Sequence, residues 1–152
     1  MSQLNPEVYI RRNKLRRIFE NKFNDINKVI KSECKSLNIP HYHVKYSSHV
    51  LDRAIQREID EQYVFDLFEK LPTHSAEVVK FLEMTPLPDV EEEILKDVEY
   101  RPLRLEITDG NLWLGMTVDR PRPGFPPSLT CRMAFINNKR LQGKISTKVI
   151  NL

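Results

Sequence analysis

The chain is poor in glycine, with four in 152 residues. None of them falls in a phosphate-cradling pattern, a loop that needs glycine so the backbone can approach the phosphates closely. A nucleotide cofactor is therefore not expected. Cysteine is nearly as scarce. Cys34 and Cys131 stand far apart, which excludes a dense disulfide framework and reads as two reduced thiols. No apolar run approaches the roughly 18 residues that a membrane span requires. The opening MSQLNPEVYIRRNK lacks the apolar stretch of a signal peptide, so the expected location is cytoplasmic. There is no internal repeat and no low-complexity segment. What remains is an ordinary balance of 40% apolar and 30% charged residues, in a length that fits a single domain, 1–152.

The net charge of +3 conceals a strong asymmetry. Residues 1–32 hold eight Lys/Arg against three Asp/Glu, 58–99 hold three against thirteen, and 100–152 hold nine against three. Basic ends that meet in the fold would make one positive face suited to a polyanion.

Apolar residues from Val8 to Leu37 recur at helical spacing and predict one long helix or two consecutive ones, ended by Asn38 and Pro40. "HYHVKYS" alternates like a short strand. Ser47 or Ser48 can cap a helix running to about Ile59, and Asp60 can cap the next, "EQYVFDLFEKL". "SAEVVKFLE" reads as a strand. Residues 85–98 form an acidic loop, and "RLEIT" and "LWLGMTV" flank "DGN", a hairpin signal. "RPRPGFPPS" cannot continue a sheet. "CRMAFIN" is a further strand, and "STKVI" adds an edge. The expected class is α+β: N-terminal helices packed on a roughly four-stranded antiparallel sheet.

One short stretch concentrates chemistry. In "HVLDRAIQRE", read as a helix, His49, Arg53 and Arg57 cover about 80° of its surface, while Leu51 and Ile55 point elsewhere. Arginine forks suit a phosphodiester, and a histidine beside them can move a proton near neutral pH. The alternative is structural: His49 caps the helix and the arginines pair with Asp52, Glu58 or Asp60. His41 and His43 form H-x-H, but no third and fourth ligand has a coherent spacing, so no metal is expected. Ser47 and Ser48 resemble no nucleophile elbow. For RNA, aromatics flanked by cations can stack on bases. The candidates are Tyr46 beside Lys45, Tyr100 beside Arg101, Trp113, and Phe135 near Arg132, each also a plausible core residue.

Four blocks carry a family resemblance: "YIRRNKLRR", "HVLDRAIQREIDEQYVFDLF", "VEYRPLRLEITDGNLWLG" and "CRMAFIN". Together they resemble the RegB endoribonucleases of T-even-type bacteriophages, from about residue 7 to the C-terminus. The loop at 120–128 and the tail are least similar. The resemblance implies a RelE- and YoeB-like ribonuclease fold and a sequence-specific, metal-independent endoribonuclease. It implies cleavage of early phage mRNA within GGAG, in ribosome-binding sites, by attack of the ribose 2′-OH to leave a 2′,3′-cyclic phosphate. The implied partners are mRNA, the host small-subunit ribosomal protein with OB-fold repeats, and the ribosome. His49 and Arg53 occupy the family's functional positions, with Lys45, Tyr46, Arg57, Arg104 and Arg132 as RNA-binding candidates. A second functional histidine is implied on the following helix, where this sequence has Glu69. His74 follows five residues on, and either can take that role. A non-catalytic RNA-binding regulator is the alternative function. A helix-turn-helix DNA binder is disfavoured because the second helix, "EQYVFDLFEKL", is acidic.

Overall fold

A computed structural model describes residues 6–56, 59–137 and 147–152. The long helix α1 runs Pro6–Ser36 without a break. Its buried seam is Leu15, Phe19, Phe23, Ile26, Ile30 and Cys34, steps of three and four that hold one face of a 3.6-residue repeat. Val29 and Leu37 share the apolar character but are half exposed, because Val29 points off that seam and Leu37 lies past the end of the helix at Ser36.

The other elements follow as β1 (His43–Tyr46), α2 (Ser48–Gln56), α3 (Glu61–Glu69), α4 (Ser75–Leu82), β2 (Arg104–Thr108), β3 (Leu112–Val118), β4 (Ser128–Ile136) and β5 (Thr147–Asn151). Asp60 caps α3, accepting a hydrogen bond from Gln62 N. The hairpin predicted at Asp109-Gly110-Asn111 joins β2 to β3. Gly110 takes φ 97° there, and the Asp109 carboxylate accepts from the amides of Asn111 and Leu112, both at 2.9 Å.

Two expectations need correction. "SAEVVKFLE" is helix, not strand. Ser75, Val78 and Val79 are buried on one helical face, and Ser75 meets the Tyr42 hydroxyl at 3.0 Å. That tertiary contact and packing against α1 override the strand preference of the two valines. The sheet has five strands in the order β1-β4-β3-β2-β5 and is mixed. The central pairs are antiparallel, but the edges β1 and β5 run parallel to β4 and β2. Alternation in a sequence reveals a strand, but not the direction of a partner brought from far along the chain.

The core lies between α1 and one face of the sheet. Phe19 and Phe23 both pack on Tyr46, with centroids 5.3 and 5.2 Å apart, and on Phe65 and Phe68, each at 4.8 Å edge-on. Such geometry suits the ring quadrupoles. Asn27 ties α1 to β1, its amide exchanging hydrogen bonds with both Val44 N and Val44 O. Cys34 and Cys131 are free, buried thiols; desolvation pushes Cys131 up to about 12, as for a small hydrophobe. Among the described residues no helix is long and apolar enough to cross a membrane.

Candidate active site and nucleic-acid interface

Helix α2 begins where β1 ends. Ser47 N donates to Cys131 O at 3.0 Å, and the Ser47 hydroxyl accepts from Val50 N at 3.2 Å, so Ser47 is the cap. Val50 and Leu51 turn into the core. His49 stays exposed and Arg53 half-buried on the other side. The Arg53 Nε donates to His49 Nε2 at 3.4 Å, at the long end of such bonds. Sequence spacing therefore brought these two together as expected. Among the described residues, neither Asp52 nor Asp60 pairs with Arg53. Asp52 is held by Arg12 at 2.8 Å, Asp60 is occupied as the α3 cap, and Arg53 makes no ion pair among the described residues. Arg57 and Glu58 lie outside the described residues.

A second cationic area forms on the sheet. Arg104 pairs with Thr117, Thr117 with Thr130, and Thr130 with Lys45, one row across four strands. Cross-strand partners share a face, so Lys45 and Arg104 point to the same side. It is the side opposite α1, since successive residues alternate and Tyr46 faces the helix. At β4 the register shifts, Gly115 facing Met133 and Met116 facing Cys131. Arg132 is the extra residue of that bulge, and its Nε donates to the Thr117 hydroxyl at 2.8 Å. Arg104 approaches Met133 Sδ at 3.6 Å. Asp119 anchors the group. It accepts from the hydroxyls of Ser128 at 2.7 Å and Thr130 at 2.8 Å, and lies 3.8 Å from Lys45 and 4.0 Å from Arg132. The Ser47–Cys131 bond sets the start of α2 beside Arg132, so the His49 stripe begins at the edge of this face.

Among the described residues, the two basic ends do not merge into one face. α1 covers one side of the sheet, while Lys45, Arg104 and Arg132 rise from the other. Tyr46 is also displaced from its expected role. Its ring packs between Phe19 and Phe23, its hydroxyl donates to Arg16 O at 3.2 Å, and burial together with Glu20 pushes it up to about 12. Trp113 is buried, with Nε1 donating to Asn137 O at 2.8 Å, and the Tyr100 hydroxyl accepts from Leu95 N.

Contacts along α1 order the remaining candidates. Asp52 meets Arg12, and Glu69 meets Lys22 at 3.5 Å. Those α1 residues are separated by about 15 Å along the axis. His74 sits farther on, adjoining Ser75, which contacts Tyr42 and Cys34; its Nδ1 lies 3.5 Å from Glu77. From Arg12 to Cys34 is about 33 Å of helix. The structure does not bring His74 to His49, and Glu69 lies between the two.

Arg120, Arg122 and Phe125 escape the sequence reading. A cleft of about 910 Å³ opens on the same sheet face as Lys45, lined by His43, Arg101, Arg120, Arg122 and Phe125 among others. Asn27 Nδ2, oriented by its bonds to Val44, donates to His43 Nε2 at 3.1 Å. Burial first, then Lys45 and His41, holds the His43 imidazole below its usual value. The signal was present in "RPRPGFPPS", where cations and an aromatic alternate with prolines. Among the described residues, no three His, Cys, Asp or Glu side chains converge as metal ligands.

Known proteins resemble this chain in sequence and in fold. The family T4-page Endoribonuclease RegB matches residues 4–151. Endoribonuclease RegB of Enterobacteria phage T4 is 59% identical over 148 residues, covering 97% of each chain. The solution structure of the phage T4 endoribonuclease RegB superposes with a TM-score of 0.65, at 58% identity over 94% of each chain. The family model and the relative each match nearly the whole length, and the chain belongs to the RegB endoribonuclease family.

Proposed function

We propose that this chain is one endoribonuclease domain that cuts early phage mRNA within GGAG sequences in the host cytoplasm. The reaction is attack of the ribose 2′-OH on the adjacent phosphorus. The bond to the 5′-oxygen breaks, leaving a 2′,3′-cyclic phosphate and a 5′-hydroxyl. The observation that carries this reading is the His49–Arg53 pair, an exposed imidazole beside a guanidinium that no described carboxylate neutralises. His49 moves a proton, and Arg53 meets the charge that grows on the phosphorane oxygens. These two supply one proton carrier and one charge stabiliser for a transesterification that needs no metal.

Glu69 is the better candidate for the second proton transfer. Along α1 it lies nearer the Arg12–Asp52 end than His74 does, and a carboxylate is a competent acid or base. Lys45, Arg57, Arg104 and Arg132 hold the RNA backbone, and arginine forks among them read guanine edges. The fold is of the RelE and YoeB kind, which fits work on mRNA at the ribosome, with the host OB-repeat ribosomal protein as the enhancing partner. The non-catalytic alternative gives Arg53 a phosphate contact but leaves the exposed His49 imidazole beside it without a role.

A defined GGAG-containing RNA incubated with the protein in EDTA tests this. Cleavage within GGAG with cyclic-phosphate ends is expected. Loss of cleavage in EDTA would overturn the metal-free chemistry. His49→Ala should slow cleavage by about 10²–10⁴ with far less effect on RNA affinity. Equal losses in rate and affinity would make His49 a binding residue.

A further inference from the structure

The cleft beside Lys45 is not part of the His49–Arg53 stripe, and its chemistry is unbalanced. Lys45, Arg101, Arg120 and Arg122 line it, with Asp119 as the single acid. Asp119 is already engaged by two hydroxyls and lies near Lys45 and Arg132. Arg101, Arg120 and Arg122 make no ion pair among the described residues. Arg101 is half-buried, and its desolvation lowers its proton affinity with no anion to offset it. Cations gathered in a concavity and left without counter-charge focus a positive field on whatever enters.

The rim adds an aromatic. Phe125 is 68% exposed at the tip of a loop braced by Pro121, Pro123, Pro126 and Pro127. Proline fixes φ and limits the conformations the loop can visit. Gly124 makes the turn at φ 81°, Phe125 N donates to Arg122 O at 3.2 Å, and Asp119 N donates to Ser128 O at 2.9 Å, closing the loop onto β4. A large exposed ring on a stiff loop among arginines serves poorly as core. It is well made for stacking, because every base offers a π-face while the cations take the backbone. The volume of about 910 Å³ is near the top of the range of ligand pockets, roughly 300–1,000 Å³.

We propose that this cleft is a second RNA subsite, in which Lys45, Arg101, Arg120 and Arg122 hold successive phosphates of a single strand and Phe125 stacks on a base. The proposal rests on the ribonuclease reading above and adds to it. The strand enters the cleft, passes Lys45 on β1 and Thr130 on β4, and reaches the start of α2 beside Arg132. The cleft thereby sets which nucleotides flank the scissile bond at His49.

The test uses the full chain and a fluorescent ten-nucleotide single-stranded RNA, fully 2′-O-methylated so that it binds without being cut. Anisotropy titrations over a range of salt compare the wild type with Arg120→Gln/Arg122→Gln and with Phe125→Ala. All three side chains are exposed, and thermal melts confirm that the variants fold. The double variant should bind at least tenfold more weakly. Its plot of log Kd against log salt should be shallower by about 1.4, or 0.7 per lost phosphate contact. Phe125→Ala should weaken binding about tenfold with an unchanged slope, since stacking releases no counterion. If the wild type binds this probe and cuts the unmodified GGAG RNA but both variants keep its Kd within twofold and its slope, the cleft assignment is overturned while the ribonuclease reading stands. A wild type that neither binds nor cuts RNA would sink both.

Discussion

Asp119→Ala tests whether the open sheet face is held together by one carboxylate. The Asp119 side chain is 22% exposed and accepts from Ser128 and Thr130 at 2.7 and 2.8 Å. Hydrogen bonds to a charged acceptor contribute about 1.5–3 kcal/mol each. Ser128 is only half-buried, so water replaces part of its bond, whereas Thr130 is buried and its hydroxyl would lose most of its partner. Lys45 and Arg132, both about half exposed at 3.8 and 4.0 Å, contribute about 0–0.5 kcal/mol each after screening. The expected destabilisation is about 2–3 kcal/mol, or about 5–10 °C in Tm for a chain of this size. Asp119→Asn keeps one acceptor and should lose about half as much. RNA affinity should move the other way. Removing a negative charge near two cations should tighten binding about two- to fivefold at low salt, and the gain should vanish as salt rises. Calorimetric melts and anisotropy titrations read the two effects separately. A Tm within about 2 °C of wild type, or RNA binding that weakens along with stability, would refute the account of Asp119 as an anchor that also masks cations.

Other outcomes follow from the same geometry. Phe23→Ala removes a buried ring wedged between Tyr46 and Phe68 and should cost about 3–5 kcal/mol, seen as a lower urea midpoint at constant slope. Glu69→Gln should slow cleavage at least tenfold while His74→Ala stays near wild type; full activity in both would remove Glu69 from the chemistry. The depressed titration of His43 means the unfolded chain takes the proton more readily than the folded one. Stability should therefore fall as pH drops through about 6.5 and level off below the folded value. An NMR titration of His43 with its midpoint at or above that pH would contradict the burial argument, and His43→Gln should flatten the dependence.

Local pattern was enough to identify α1, the α3 cap at Asp60, the Asp109-Gly110 hairpin and the His49–Arg53 pair. Each depends on residues a few positions apart, where helical angle, capping and turn chemistry act directly. The helix α4 was misread because its valines favour a strand until α1 and Tyr42 are present to bury Ser75 and Val78. Strand directions at β1 and β5 depend on partners from distant parts of the chain. Lys45, Arg104 and Arg132 become one face only through cross-strand register and a bulge. Tyr46 is withdrawn into the core by two phenylalanines of α1, and Asp52 does not pair with Arg53 because Arg12 takes it. Sequence alone thus determined where the imidazoles and guanidiniums lie and which short segments carry them. The tertiary structure decided which of those residues meet, which are neutralised, and that a proline-braced loop closes a cationic cleft over the sheet, because contacts between distant segments have no local signature.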